Sequence, residues 1–386
     1  MGASMASIRN ARLIPIEIGG GVAASRPDQV YAWPGMTIVK DGELLAVASE
    51  RKFHICPFGR IVIVRSLNGG VTWDIPQEIY NSELDDRHPS LVTMPDGTII
   101  CSFFTVNFWM NPAHITEDWK PRAARVTDRL LEEVLGDWLI RSFDGGNTWE
   151  GTPHRMPDGG SLHASPCVFE SGVLGCFGYE REHGSVKLYF YTSSDKGVSW
   201  ERKGEGPVTG LVTGTFAWMP WQLARGAETI TTPLTMRSIL ELGDGSLLAV
   251  FGGAGGLLFQ SSSKDGGASW TSLTETQIWG FPPHLLRLRE GPIMCSYGYR
   301  KEPCSVRATL SYDDGLTWDI DGTIIIDQWA DNPDMGYPVA AEPMPGELAF
   351  VYYLTRKPVA PGKENKDMVP ESSPEGLLYK RFQCKL

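Results

Sequence analysis

The chain has no long apolar run, no cysteines at metal-ligand spacing and no surplus of basic charge. Each lack removes a class of protein. No stretch reaches the roughly 20 apolar residues of a transmembrane helix, so no membrane partner is expected. The seven cysteines (Cys56, Cys101, Cys167, Cys176, Cys295, Cys304 and Cys384) are odd in number and scattered, and four fall in apolar strand-like runs. They read as buried thiols rather than a disulfide framework or zinc site, and no metal or cofactor is expected. The net charge of −11 argues against nucleic acid, whose binders present basic faces. It leaves room for an anionic small ligand, which feels only local charge. The N-terminal "MGASMASIRNARLIPIEIGGG" has no apolar signal-type core, so the cytoplasm is the default expectation; "MGASMAS" would also fit an expression scar hiding a removed signal. The oligomeric state is left open.

What is present is turn chemistry. The 386 residues include 43 glycines and 27 prolines, which suits many short strands. One turn is written five times: "RSLNGGVTWD", "RSFDGGNTWE", "TSSDKGVSWE", "SSKDGGASWT" and "LSYDDGLTWD". The shared pattern is S-x-[DN]-x-G-x-[ST]-W, with Asn68, Asp144, Asp195, Asp265 and Asp313 each five residues before a tryptophan. Such a box predicts a tight hairpin: the Asp or Asn bonds the backbone two residues on, glycine takes the positive-φ position, and the Trp packs on adjoining strands.

A second repeat precedes the boxes, a strand, a glycine turn and another strand. It occurs six times, from "GMTIVKDGELLAVAS" to "VAAEPMPGELAFVYY". With the box, each unit supplies about four strands, the size of a propeller blade. The expected fold is all-β, a six-bladed propeller spanning residues 1–386 as one domain, with insertions at about 106–137 and 203–234. The first insertion carries a short amphipathic helix around 126–135. The second carries Phe216, Trp218 and Trp221, which suit a sugar-stacking platform as well as a lid core or an oligomer contact. The sixth unit has no box, and pairing "NARLIPIEI" with "LLYKRFQ" from the two chain ends would complete its blade and remove edge strands.

These boxes are similar to the Asp-box (bacterial neuraminidase) repeats, and the unit order resembles the six-bladed sialidase superfamily across almost the whole chain. Asp-boxes sit on the outer rim of such propellers, so the box residues are expected to hold the fold rather than catalyse.

A propeller places its ligand site where the innermost strands open onto the axis. Aligning the six units on Gly42, Gly97, Gly172, Gly245, Gly291 and Gly346 puts Trp33, His88, His163, Met236, Pro282 and Tyr337 at one register, nine residues earlier. Neighbouring residues add Asp86 and Arg87 in "LDDRHPS", Asp334 beside Tyr337, and Arg237 after Met236. The second strands end on the same rim with Glu50 and Arg51, Tyr179, Glu180 and Arg181, and Tyr299 and Arg300; Arg307 starts a third strand. Arginines suit a bidentate grip on a carboxylate, so the expected partner is an acidic oligosaccharide or polysaccharide. His54, His114, His154 and His183 read as structural.

The resemblance carries over in part. Arg51 in "ASERKFH" matches the sialidase acidic-x-Arg run, and Tyr337 stands where sialidases carry their nucleophile. Trp33 stands in place of their first carboxylate-binding Arg, and Met236–Arg237 in place of the Glu that activates the Tyr. The expected function is hydrolysis of a glycosidic bond next to an acidic, sialic- or uronic-type sugar, and two alternatives stand beside it. In a sialidase-type hydrolase, Tyr337 is nucleophile, Glu180 or Glu50 helps ionise it and Asp86 is general acid. In a lyase acting on uronic-acid linkages, His88 or His163 takes the C5 proton, Tyr337 protonates the leaving oxygen, and arginines neutralise the carboxylate. The second alternative is a non-catalytic carbohydrate-binding propeller.

Overall fold

The computed structural model describes residues 13–27, 29–52, 56–107, 119–159, 166–182, 185–207, 235–252, 256–328, 334–356 and 373–385. They form six four-stranded antiparallel sheets. The innermost strands are Val30–Lys40, Asp85–Thr93, Cys167–Val168, Thr235–Glu241, His284–Arg287 and Met335–Met344, which open blades 1 to 6. Blade 6 takes its third strand, Ser373–Lys385, from the C-terminal end of the chain and its outermost, Ile14–Ala24, from the N-terminal end. The ring closes as the sequence predicts.

Second strands such as Glu43–Arg51 are buried along their whole length, because each is covered on both faces by a neighbouring blade. The apolar residues of the described chain accordingly gather in six clusters that lie one at each blade interface, and in a smaller seventh, Val30, Ala32, Trp33, Tyr337 and Tyr353, between blades 1 and 6. Leu45, Val47 and Ile63 of blade 1 meet Ile99, Cys101 and Phe103 of blade 2 in one of them. Val351 and Leu377 of blade 6 meet Leu44 and Val62 of blade 1 in the cluster that seals the ring. All seven cysteines are free thiols, and six are buried.

The boxes sit between these clusters. In each, the serine hydroxyl caps the glycine N–H at 2.7–2.9 Å and donates to the Asp or Asn side chain. That side chain accepts the N–H four residues on, at 2.8–2.9 Å, not two residues on as the sequence reading expects. The longer reach spans the whole loop, so one residue locks both its ends. The box glycine is needed twice over. At Gly267 φ is +92°, and a Cβ would lie 2.0 Å from the Phe190 ring of the preceding blade. Each box Trp packs at an interface: Trp73, Trp149, Trp200, Trp270 and Trp318 join five of the six clusters.

Of the first insertion, the described part holds a short helix, Asp128–Val134, capped by Thr127, whose side chain accepts the Leu130 N–H. Residues 208–234, with Phe216, Trp218 and Trp221, lie outside the described residues.

Candidate functional site

The six innermost strands enclose an axial cavity of about 500 Å³. Trp33, His88, Arg237, Pro282 and Tyr337 line it, on five blades. His163 lies outside the described residues.

Three of these positions share an unusual backbone. Trp33, His88 and Tyr337 have φ of 52°, 49° and 52°, and each sits in a register shift of its strand pair. A bulge residue in the left-handed region re-aims its side chain, here at the strand's entry into the cavity. Without glycine this conformation costs about 1–2 kcal/mol per residue. Each is followed by a proline (Pro34, Pro89 and Pro338) that also lines the cavity and has no N–H to give to the strand ladder. The three residues stand on blades 1, 2 and 6, neighbours around the ring, so the mouth is built on one side of the axis.

There they touch. The Trp33 and His88 rings stack at 4.1 Å with 13° between planes, and His88 stacks on Phe104 at 5.1 Å. Tyr337 lies 5.5 Å from His88, centroid to centroid, and 5.8 Å from Tyr353. The Arg51 and Arg87 guanidinium carbons lie 4.4 and 4.2 Å from the Trp33 centroid. Arg300 lies 5.6 Å from the Tyr337 ring and donates to the Met335 carbonyl at 3.1 Å. Burial pushes the Tyr337 phenol up to about 12, and the negative Asp334 adds to this against the opposing pull of Arg300 and Arg87. At neutral pH Tyr337 therefore holds its proton.

The remaining sequence candidates are turned elsewhere. Glu50 is buried within blade 1, where it accepts from Tyr31 at 2.7 Å and from Arg60. Glu180 is engaged by Tyr191 and Arg202 of its own blade. Asp86 is enclosed by Ser82 and Thr105, and burial pushes its carboxyl up to about 7. None of the three lines the cavity. Arg51 is fully buried and paired with Asp85. Arg237 borders the cavity, but its guanidinium is spent on the Gly159 and Phe177 carbonyls and the Tyr179 hydroxyl. Arg307 stacks on Tyr299 at 3.5 Å and donates to Ser305, and neither Arg307 nor Tyr299 borders the cavity. The alignment finds strand ends, but the direction of a long side chain depends on the neighbouring blade.

A family described as "BNR repeat-like domain" matches residues 42–319. The chain belongs to that family. No curated protein matches it. Among solved structures, a protein of unknown function from Dyadobacter fermentans DSM 18053 superposes with a TM-score of 0.71 at 20% identity, covering 97% of this chain and 99% of that one. The Hadza microbial sialidase Hz136 gives 0.58 at 14% identity over 92% of this chain. The NanB sialidase of Streptococcus pneumoniae gives 0.60 at 12% over 99% of this chain. This chain spans 65% of the length of Hz136 and 72% of NanB. The BNR match and these shared folds place the chain in the sialidase-like superfamily.

Within this BNR repeat-like propeller two site residues escape the sequence reading. One is Asp85, which pairs with both Arg51 and Arg87 and accepts the Gly59 N–H at 3.0 Å. Strand alternation could have found it, since 85 and 87 share one face and 86 the other. The second is His284 in "FPPHLLRL", the first residue of its strand, two residues past Pro282. It lines the cavity. The lining carboxylates among the described residues are Glu170 and Glu241, at the opposite end of the inner strands, where Glu241 accepts the Glu170 N–H at 2.6 Å.

Proposed function

We propose that this protein cleaves a glycosidic bond beside an acidic sugar, and that it does so by β-elimination from a uronic acid. The observation that carries this reading is the contact between His88 and Tyr337 at the mouth, where burial keeps the Tyr337 phenol protonated and the neighbouring Asp334 carboxylate is held by the Tyr353 hydroxyl. His88 takes the C5 proton of the uronate. The electron pair forms the C4–C5 double bond, the C4–O bond breaks, and the Tyr337 hydroxyl passes its proton to the leaving oxygen. No water is consumed, and the proton on His88 returns to Tyr337 through solvent. Arg300, beside Tyr337, pairs with the carboxylate and lowers the barrier to removing the adjacent proton.

Hydrolysis is the second reading. It is favoured by the position of Tyr337 at the opening of the last blade, where sialidases carry their nucleophile, and by the sialidase folds among the solved structures. It requires Tyr337 to lose its proton, whereas burial favours the phenol. Glu50 and Glu180, the expected activators, are engaged within their blades.

The test is incubation with a panel of uronate- and sialate-containing oligosaccharides, read by ultraviolet absorbance and mass. Elimination leaves a conjugated unsaturated uronate, and its fragments sum to the mass of the substrate. Fragments that sum to substrate plus water would replace the proposal with hydrolysis. Binding without turnover would leave a carbohydrate-binding propeller.

A further inference from the structure

His284 lines the cavity of Trp33, His88 and Tyr337 but takes no part in the chemistry proposed for them. It opens the innermost strand of blade 5. Its Nδ1 accepts the N–H of Ala340, on the innermost strand of blade 6, at 3.4 Å. One blade earlier a smaller residue makes the equivalent link: Ser238, at the same register, accepts the Leu285 N–H through its hydroxyl at 2.9 Å. A serine therefore suffices to tie adjacent inner strands. A histidine in that place adds something the tie does not need, a second polar nitrogen. With Nδ1 accepting, Nε2 carries the ring proton and is a donor. Desolvation pulls the imidazole down to about 4, so the ring stays neutral through the physiological range. The wall thus holds a neutral donor whose orientation is set by blade 6.

We propose that His284 is a specificity-determining residue of this cavity, its Nε2–H donating to an uncharged hydroxyl of the bound sugar. The inference rests on the reading that the cavity takes an acidic sugar, but not on how that sugar is cleaved. The carboxylate belongs with Arg300 beside Tyr337. A carboxylate against His284 would draw a second proton onto a ring whose surroundings disfavour charge.

The experiment measures binding by calorimetry in the full chain carrying Tyr337→Phe, so that turnover does not interfere. The probes are a glucuronic-acid disaccharide and its monodeoxy analogues. Adding His284→Phe is expected to weaken disaccharide binding about tenfold, the scale of one neutral hydrogen bond. One monodeoxy analogue should lose the same amount against His284, and the His284→Phe protein should bind that analogue and the parent sugar equally. His284→Gln keeps an acceptor for Ala340 and a donor, and should recover most of the discrimination. Additive losses, or discrimination that persists in His284→Phe while only the melting temperature falls, would overturn the proposal in favour of a purely structural tie. If the Tyr337→Phe protein binds the disaccharide but the protein with Tyr337 intact never cleaves it, the elimination reading falls and His284 is still judged by this cycle. If no sugar of the set binds at millimolar concentration, both fall.

Discussion

In five blades the outer turn places the same serine, Asp or Asn, and Thr or Ser in the same hydrogen bonds, within about 0.2 Å of one another. At the funnel mouth, three blades repeat a left-handed backbone just as closely, with φ from 49° to 52°, yet carry Trp33, His88 and Tyr337. At the rim both backbone and side chains recur. At the mouth the backbone recurs and the side chains part. A turn that spaces blades has one task and keeps one solution. A bulge that aims a side chain into a cavity fixes where the group goes and leaves its chemistry free. The divergent residues of a repeat on a constant backbone are therefore where function is sought.

The comparison breaks most sharply at the mouth. Tyr337→Phe removes one oxygen and little volume, so stability should hardly change, while turnover should fall at least ~100-fold with binding kept. His88→Asn should have a similar effect on elimination, and only a modest one if His88 merely positions the sugar. Steady-state kinetics of both variants against the same substrate decide this. Full activity in Tyr337→Phe would take the tyrosine out of both chemistries.

At the rim the effect should fall on stability alone. Gly267→Ala forces a Cβ into Phe190 at a φ of +92°. It should lower the melting temperature by about 5 °C and leave kcat unchanged. A fall in kcat without a fall in stability would mean the rim is not the passive spacer described.

The smallest effect sits between the two regions. Asp86, behind the mouth, is lifted to about 7 by burial. A carboxyl with a raised folded pKa stabilises fully below its unfolded value near ~4, and this contribution is lost as pH rises through the folded value. Asp86→Asn should flatten that loss: the stabilities of variant and parent should diverge in the variant's favour as pH rises from about 4 to about 7, and run parallel above it. Curves that stay parallel across that window would show that Asp86 ionises in the fold as it does in the unfolded chain.

Much of this architecture is legible in the sequence because its signals are local. Alternating strands, a glycine turn and an eight-residue box repeat often enough to count blades and to align Trp33, His88 and Tyr337 at one register. The closure by Ile14–Ala24 and Ser373–Lys385 is legible for the same reason, as the sixth unit lacks a box. What escapes the sequence is where long side chains end. Arg237 turns to the carbonyls of Gly159, in the connection leading to blade 3, and of Phe177 in that blade, and Glu50 to Tyr31 across a strand pair. Those partners are set by blade packing, not by spacing along the chain. His284 is missed because the alignment stops at the mouth, one layer above it.

The central claim is that His88 and Tyr337 break the bond by elimination, and the most direct measurement is turnover of a uronate oligosaccharide in heavy-oxygen water with the products weighed. The account predicts an unsaturated product and, in early samples taken before the reducing ends exchange with solvent, no heavy oxygen in either fragment. Heavy oxygen at the new reducing end, with no unsaturated product, would contradict it and assign the site to hydrolysis.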